Sequence, residues 1–286
     1  MEVRFVVLLP DNPGKILTAT SLVRGLKAQV GDSYVYVMLR RSSEWLIRGN
    51  SSMDEVLSWQ DKPDELDGLV RDLLPDYLID LDEGNLYRRF KRRTRLLCFT
   101  SGQDRKENPA PYGERIFKTV RFFDVKDDGK GPDFLFPEYN PDWLPEKFLG
   151  GYVVLVLYER PLKAGMQEER LVELVSLIEK PLVVAGPAGE RPLADRIAQK
   201  TGCSAFPVCG DFPEPETASL IGASNAVICF GQGWAGLALG LNKPVLRIGK
   251  PGTGQDECGE IRVVDPATGN LQEAALYVRK WFNPVP

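Results

Sequence analysis

A glycine-rich turn, Gly231-Gln232-Gly233, lies between an apolar run and a short apolar helix, and of all stretches in this sequence it is the best suited to hold a ligand. Residues 226–230 are too few for a helix and β-branched enough for a buried strand. Residues 234–241, opening on Trp234, read as a helix that Asn242-Lys243-Pro244 ends, since proline cannot continue it. Residues 245–248 are the next strand, so the whole forms one parallel crossover unit. Glycines there let backbone N–H groups come close to an anion such as a phosphate. The helix N-terminus favours that anion with about half a positive charge. A plain packing turn would have the same composition.

A second place of this kind opens the chain. The loop Pro10-Asp11-Asn12-Pro13-Gly14 is rich in turn formers and joins a strand at 3–9 to a helix at 15–29. It sits at the carboxyl end of a parallel strand, where open α/β sheets bind ligands. Asp11 and Lys15 are its chemically active side chains. A lysine of ordinary pKa is neutral in only about one molecule in a few thousand at pH 7, and serves as a base only if burial lowers that pKa strongly. Asp80, Asp82 and Glu83, at the end of a later strand, are further carboxylates that could take a proton. Asp11 also reads as a simple turn former.

What is missing narrows the chemistry further. The chain has no histidine among its 286 residues, which excludes histidine triads, imidazole bases and histidine-ligated metals. Five cysteines, scattered and odd in number, suit a reducing compartment better than a disulfide framework. Cys203 and Cys209 lack further ligands at metal-site spacing, so a metal-independent protein without a bound cofactor is expected. A net charge of −4 gives no overall attraction to nucleic acid. The segment 86–97 is the exception, with Arg88, Arg89, Lys91, Arg92, Arg93 and Arg95 within eight residues. It would meet an anionic partner or a membrane surface, and reads equally as a solvated helix face. The N-terminal residues read as a first strand and not as a signal peptide, and the longest apolar run is far too short to span a bilayer. A cytoplasmic protein is expected, at most peripheral to the inner membrane.

These groups need a scaffold, and the hydrophobic pattern supplies one. Strands at 3–9, 34–39, 55–57, 77–81 and 96–99 alternate with helices at 15–29 and 65–74. In the first helix the apolar positions recur at helical spacing, with Arg24 and Lys27 on the other side. Pro132, Pro137, Pro141 and Pro145 keep the next stretch irregular, so a boundary near 142 divides residues 1–142 from 143–286. The second half restarts with a strand at 152–158, then helix 168–179, strand 182–185, helix 193–201, strand 205–208 and helix 216–223. The opening unit follows, and a helix at 271–282 closes the chain. Both halves alternate strand and helix, which defines an α/β protein of two doubly wound Rossmann-type domains facing a cleft.

Over most of its length the chain resembles glycosyltransferase family 9, the bacterial heptosyltransferases of lipopolysaccharide assembly, with the GT-B fold. The likeness rests on residues 5–27, on the run from Tyr112 through Asp128-Gly129-Lys130-Gly131-Pro132-Asp133-Phe134, on Lys163, on residues 182–186 and on the 226–249 stretch. It implies a first domain that takes the acceptor, with Gly14, Lys15, Arg88 and Arg92 as its contacts. It implies a second domain that takes a nucleotide-sugar donor through Lys163, Gly186, Glu190, Gly231, Gln232, Gly233 and Trp234. The last helix would pack back toward the first domain. The implied activity is inverting, metal-independent sugar transfer from a nucleotide diphosphate to a saccharide or lipid-linked acceptor.

The sequence departs from that family where the chemistry lies. The family has an aspartate after the glycine of its first loop, thought to act as base, and this chain has Lys15. The family's donor aspartate aligns with Gly231 and its histidine with Gly236. No catalytic residue is therefore assigned beyond the candidates Asp11 and Lys15. A divergent transferase and a non-catalytic GT-B scaffold, binding a nucleotide or glycan or pairing with an active transferase, are both open.

Overall fold

The computed structural model describes residues 2–60, 68, 70, 72–82, 97–100, 111–135, 143–159, 161, 163–202, 204–250 and 260–282. Half of the expected helix at 65–74 lies outside them, with residues 68, 70, 72 and 73 helical; Glu83, Cys203 and the basic residues 88–95, with Arg88 and Arg92, lie wholly outside. The chain divides into two compact units, Met1–Leu135 and Phe136–Pro286.

The first unit is a five-stranded sheet built from β1 (Val3–Leu8), β2 (Ser33–Arg40), β3 (Glu55–Trp59), β4 (Tyr77–Asp80) and β5 (Leu97–Thr100), in the order β3-β2-β1-β4-β5. Every pairing in it is parallel. Helix α1 (Pro13–Gln29) packs beside it, and α2 (Tyr112–Thr119) packs against α1. The central strand β1 is an apolar run because both faces of a parallel sheet are covered. A single apolar stripe does not describe α1: its buried residues include Ile16, Ala19, Leu22, Val23 and Leu26, and they surround the helix. The sheet, α2 and a 3-10 helix at Arg41–Ile47 enclose it on several sides.

Arg24 is not the solvated residue that the helical pattern predicts. Its guanidinium donates to both carboxylate oxygens of Asp128 (2.8 and 2.6 Å), to Asp133 (2.5 Å) and to the Gly131 carbonyl (2.9 Å). Thr20 Oγ1 also accepts from the Asp133 amide at 2.7 Å. The charged, glycine-containing loop at 128–133 is thus fixed to α1 by side chains instead of apolar packing.

The second unit holds β6 (Val153–Val156), α3 (Glu168–Ile178), β7 (Leu182–Ala185), α4 (Arg191–Lys200), β8 (Ala205–Pro207), α5 (Glu214–Ala223), β9 (Ala226–Cys229), α6 (Gln232–Gly240), β10 (Val245–Ile248), β11 (Ile261–Val264) and α7 (Leu271–Phe282). Its six strands run in the order β11-β10-β9-β6-β7-β8, again with every pairing parallel. Leu155, Leu171, Leu174, Ile228, Leu246 and Val278 belong to one buried cluster that joins the sheet to α3 and α7.

Several helices start two residues earlier than the hydrophobic pattern predicts. Pro13, Pro192 and Pro215 all lie in first turns, where the missing N–H costs nothing and the fixed φ suits the helix. Two elements carry no recognisable signal. In α2 the buried positions Tyr112, Arg115, Ile116 and Thr119 have helical spacing, but an arginine and a threonine conceal the stripe. Strand β11 is a four-residue edge strand with Arg262 and Val263 exposed.

Candidate functional site

Each sheet has one place where the strand order reverses, and a doubly wound fold binds its ligand in the crevice there. In the first unit the chain leaves β1 for β2 and β3 on one side, then returns to place β4 on the other. The crevice therefore lies beyond the carboxyl ends of β1 and β4. In the second unit the reversal falls between β6 and β9, which makes residues 157–159 and 230–234 its lips.

At the first crevice Asn12 caps α1: its Oδ1 accepts from the Lys15 amide at 3.1 Å. Gly14 is buried within the first turn of α1 and its carbonyl accepts from Thr18 Oγ1 at 2.9 Å. Lys15 lays its ammonium over the Tyr112 ring, 4.9 Å from the centroid, and the Tyr112 hydroxyl donates to the Leu81 carbonyl at 3.1 Å. One aromatic side chain thus ties the helix start to the end of β4. Asp11 forms an ion pair with Arg40, whose guanidinium also lies 5.1 Å from the centroid of Trp59.

Beyond β4 two carboxylates stand two residues apart. Asp80 is fully buried, and its Oδ1 accepts from the Asp82 amide at 3.0 Å. Burial and the neighbouring charges of Asp80 and Asp11 push the Asp82 carboxyl up to about 7, against the pull of Arg40 and Lys15. Loop 10–15 and the β4 end, both expected to carry chemistry, therefore converge on one electrostatic site. Arg40 and Tyr112 join it from β2 and α2, and no local pattern in the sequence pointed to them.

At the second crevice Gly231 caps α6, with φ −129° and ψ 179°. That is extended backbone open to any residue, so conformation does not require glycine here. Space does. A Cβ on residue 231 would lie 1.6 Å from the Glu159 carboxyl carbon. The Glu159 carboxylate fills that volume in this structure, and its flexible, exposed side chain would have to swing aside for a side chain at 231.

Beside it, Tyr158 stacks on Trp234 with ring centroids 4.4 Å apart and planes 24° off parallel. The Tyr158 hydroxyl is within 3.4 Å of Thr217 Oγ1, and burial raises its pKa. Gln232 is exposed and Gly233 half-buried on the same turn. The hydrophobic pattern gives Tyr158 as the last residue of a strand and leaves Glu159 outside it. Their role emerges only from the pairing of β6 with β9.

The other expected donor contacts are placed differently. Lys163 is exposed after β6. Gly186 is buried, and a Cβ on it would come within 3.0 Å of Leu157 Cβ and 3.4 Å of Cys209 Sγ, so its smallness serves packing. Glu190 is half-buried at the start of α4, and its amide donates to the Pro187 carbonyl at 2.9 Å. Among the described residues no group of three or more histidine, cysteine, aspartate or glutamate side chains could hold a metal ion. Among them, too, no helix is long and apolar enough to cross a membrane.

Both units are all-parallel sheets flanked by helices, and the chain has the GT-B glycosyltransferase fold. No protein-family model matches the chain, and no curated protein matches its sequence. Solved structures match across nearly all of it. The glycosyltransferase family 9 protein of Veillonella parvula DSM 2008 has a TM-score of 0.74 at 12% identity, over 98% of this chain and 97% of that one. The E. coli heptosyltransferase WaaC with ADP scores 0.69 at 12% identity, covering 98% and 100%. The E. coli ADP-heptose lipopolysaccharide heptosyltransferase II scores 0.64 at 15% identity, covering 98% of each chain. In fold this chain resembles glycosyltransferase family 9. It is divergent, with Lys15, Gly231 and Gly236 at the positions noted above.

Proposed function

We propose that the protein is a metal-independent, inverting glycosyltransferase that moves a sugar from a nucleotide diphosphate donor to a saccharide or lipid-linked acceptor. The observation that carries this reading is the paired crevices. A glycine turn, a helix N-terminus and an aromatic pair lie at the strand reversal of the second unit, and a set of opposed charges at that of the first. Structures of the same fold hold ADP and an ADP-sugar analogue. The turn at 231–234 would take the donor, its backbone amides facing the diphosphate and the half-buried Tyr158–Trp234 pair offering a ring face to the base. Lys163 would add positive charge toward the leaving diphosphate. Gly14 and Lys15 would face the acceptor, joined by Arg88 and Arg92 if it is anionic or membrane-borne.

One observation favours a binding scaffold instead: the turn has neither an aspartate nor a histidine of its own, and a carboxylate already stands where an anion would approach. Calorimetry separates the two readings. Titration with ADP, UDP, GDP and dTDP should find at least one nucleotide bound at submillimolar concentration. Trp234→Ala should weaken that binding by roughly tenfold, since base–aromatic stacking contributes about 1–3 kcal/mol. Transfer from the corresponding nucleotide sugar, measured as nucleotide release, should continue unchanged in EDTA. Binding without release from any donor would leave the scaffold as the function, and no binding would remove the donor turn altogether.

A further inference from the structure

Lys15 stands where a transferase of this kind would have its base, so an active enzyme must take the acceptor proton with another group. We infer that Asp82, at the carboxyl end of β4, is the catalytic base of this protein. The inference rests on the transferase reading above.

Position comes first. Asp82 lies at the crevice between β1 and β4, the one place in the first sheet where topology opens a site. Its backbone is held by Asp80 Oδ1, and the preceding Leu81 carbonyl is held by the Tyr112 hydroxyl. It keeps company with Lys15, in the first turn of α1 at the end of the loop that follows β1.

The neighbouring carboxylates are less suited to the role. Asp11 is committed to its ion pair with Arg40. Asp80 is fully buried and cannot reach a bound hydroxyl. Asp82 is partly exposed. The charged groups that bear on it are Asp80 from β4, Asp11 from the loop after β1, Arg40 from β2 and Lys15 from α1, and their balance with burial holds its carboxyl near neutrality. A base poised near the working pH is the most effective one.

The step is an in-line substitution. The Asp82 carboxylate accepts the proton of the acceptor hydroxyl while that oxygen bonds to the anomeric carbon of the donor. The bond from that carbon to the diphosphate oxygen breaks, and its electron pair leaves with the diphosphate. The positive charges of Lys15 and Arg40 keep a useful fraction of the carboxylate ionised.

The test is release of nucleoside diphosphate by the full chain from ADP-, UDP-, GDP- and dTDP-hexoses, with water or delipidated lipopolysaccharide core saccharide as acceptor. The wild type should show a kcat/KM that rises with pH through an acid limb near 7. Asp82→Asn should lose about 10²–10⁴ in rate and lose that limb, while nucleotide binding measured by calorimetry stays within a factor of two. An Asp82→Asn protein that keeps its rate and its limb overturns the assignment and leaves the transferase reading standing. Should that variant not fold, the wild-type profile decides: an acid limb near pH 7 supports Asp82, and a flat profile from pH 6 to 8 overturns it. A wild type that releases nothing from any donor overturns the transferase reading and this inference together.

Discussion

At pH 8 the Asp82→Asn protein should melt several degrees above the wild type, with the gap closing as pH falls toward 4. The cause is the raised carboxyl: pushed from an ordinary 3.8 up to about 7, it is a group whose charge the fold disfavours. The native state therefore holds this proton more tightly than the unfolded chain does. Stability from this group is greatest below the unfolded pKa, declines as pH rises between about 4 and 7, and carries the full penalty above 7. An asparagine carries no such penalty at any pH. After allowance for solvent at a half-exposed carboxyl, the difference above pH 7 should be on the order of 2 kcal/mol. Thermal melts of both proteins at half-unit pH steps would show it. Equal melting temperatures at pH 8, or a gap that widens on acidification, would remove the electrostatic basis for Asp82 as a poised base.

Arg24→Ala should have the largest effect on the first unit's stability. It removes four hydrogen bonds from one guanidinium, three of them to carboxylates, and leaves Asp128 and Asp133 with no counter-charge at α1. The melting temperature should fall by several degrees, and trypsin should cut after the exposed Lys126 and Lys130 well before the wild type is touched. The same clamp sets an acid limit. Hydrogen bonding from Arg24 holds the Asp128 carboxyl down to about 2, below its ordinary 3.8. This group's contribution is therefore present above pH 4 and fades as pH falls through 2. Arg24→Lys, which keeps the charge but not the fork, should rescue only part of the loss. A variant with wild-type melting and proteolysis would show that the loop is held by something else.

How much of this was legible before folding depends on which interaction carries each feature. Ten of the eleven strands and six of the seven named helices follow from apolar runs, helical spacing and proline breaks, because those patterns express burial directly. The early helix starts at Pro13, Arg191 and Glu214 are a matter of reading proline as an opener and not a stop. The site divides in the same way. The loop at 11–15 and the turn at 231–234 are local in sequence and could be found there. Arg40, Tyr158 and Glu159 come to the crevices through strand order and Tyr112 through the packing of α2 on α1, and no local pattern encodes which of these ends become neighbours. Helical spacing puts Arg24 opposite the apolar positions and shows nothing more, because it reports only apolar burial and the partners of Arg24 lie more than a hundred residues away.

The space above Gly231 also constrains the routes by which this turn can change. With Glu159 in place, any side chain at 231 meets its carboxylate at overlapping distance, so an aspartate introduced there by a single mutation sets two like charges in one volume. The two positions are coupled, and their effects will not add. A side chain at 231 requires the exposed Glu159 side chain to swing aside, and an aspartate there would still face its charge. Position 159 is therefore the first to change in any effort to rebuild the turn.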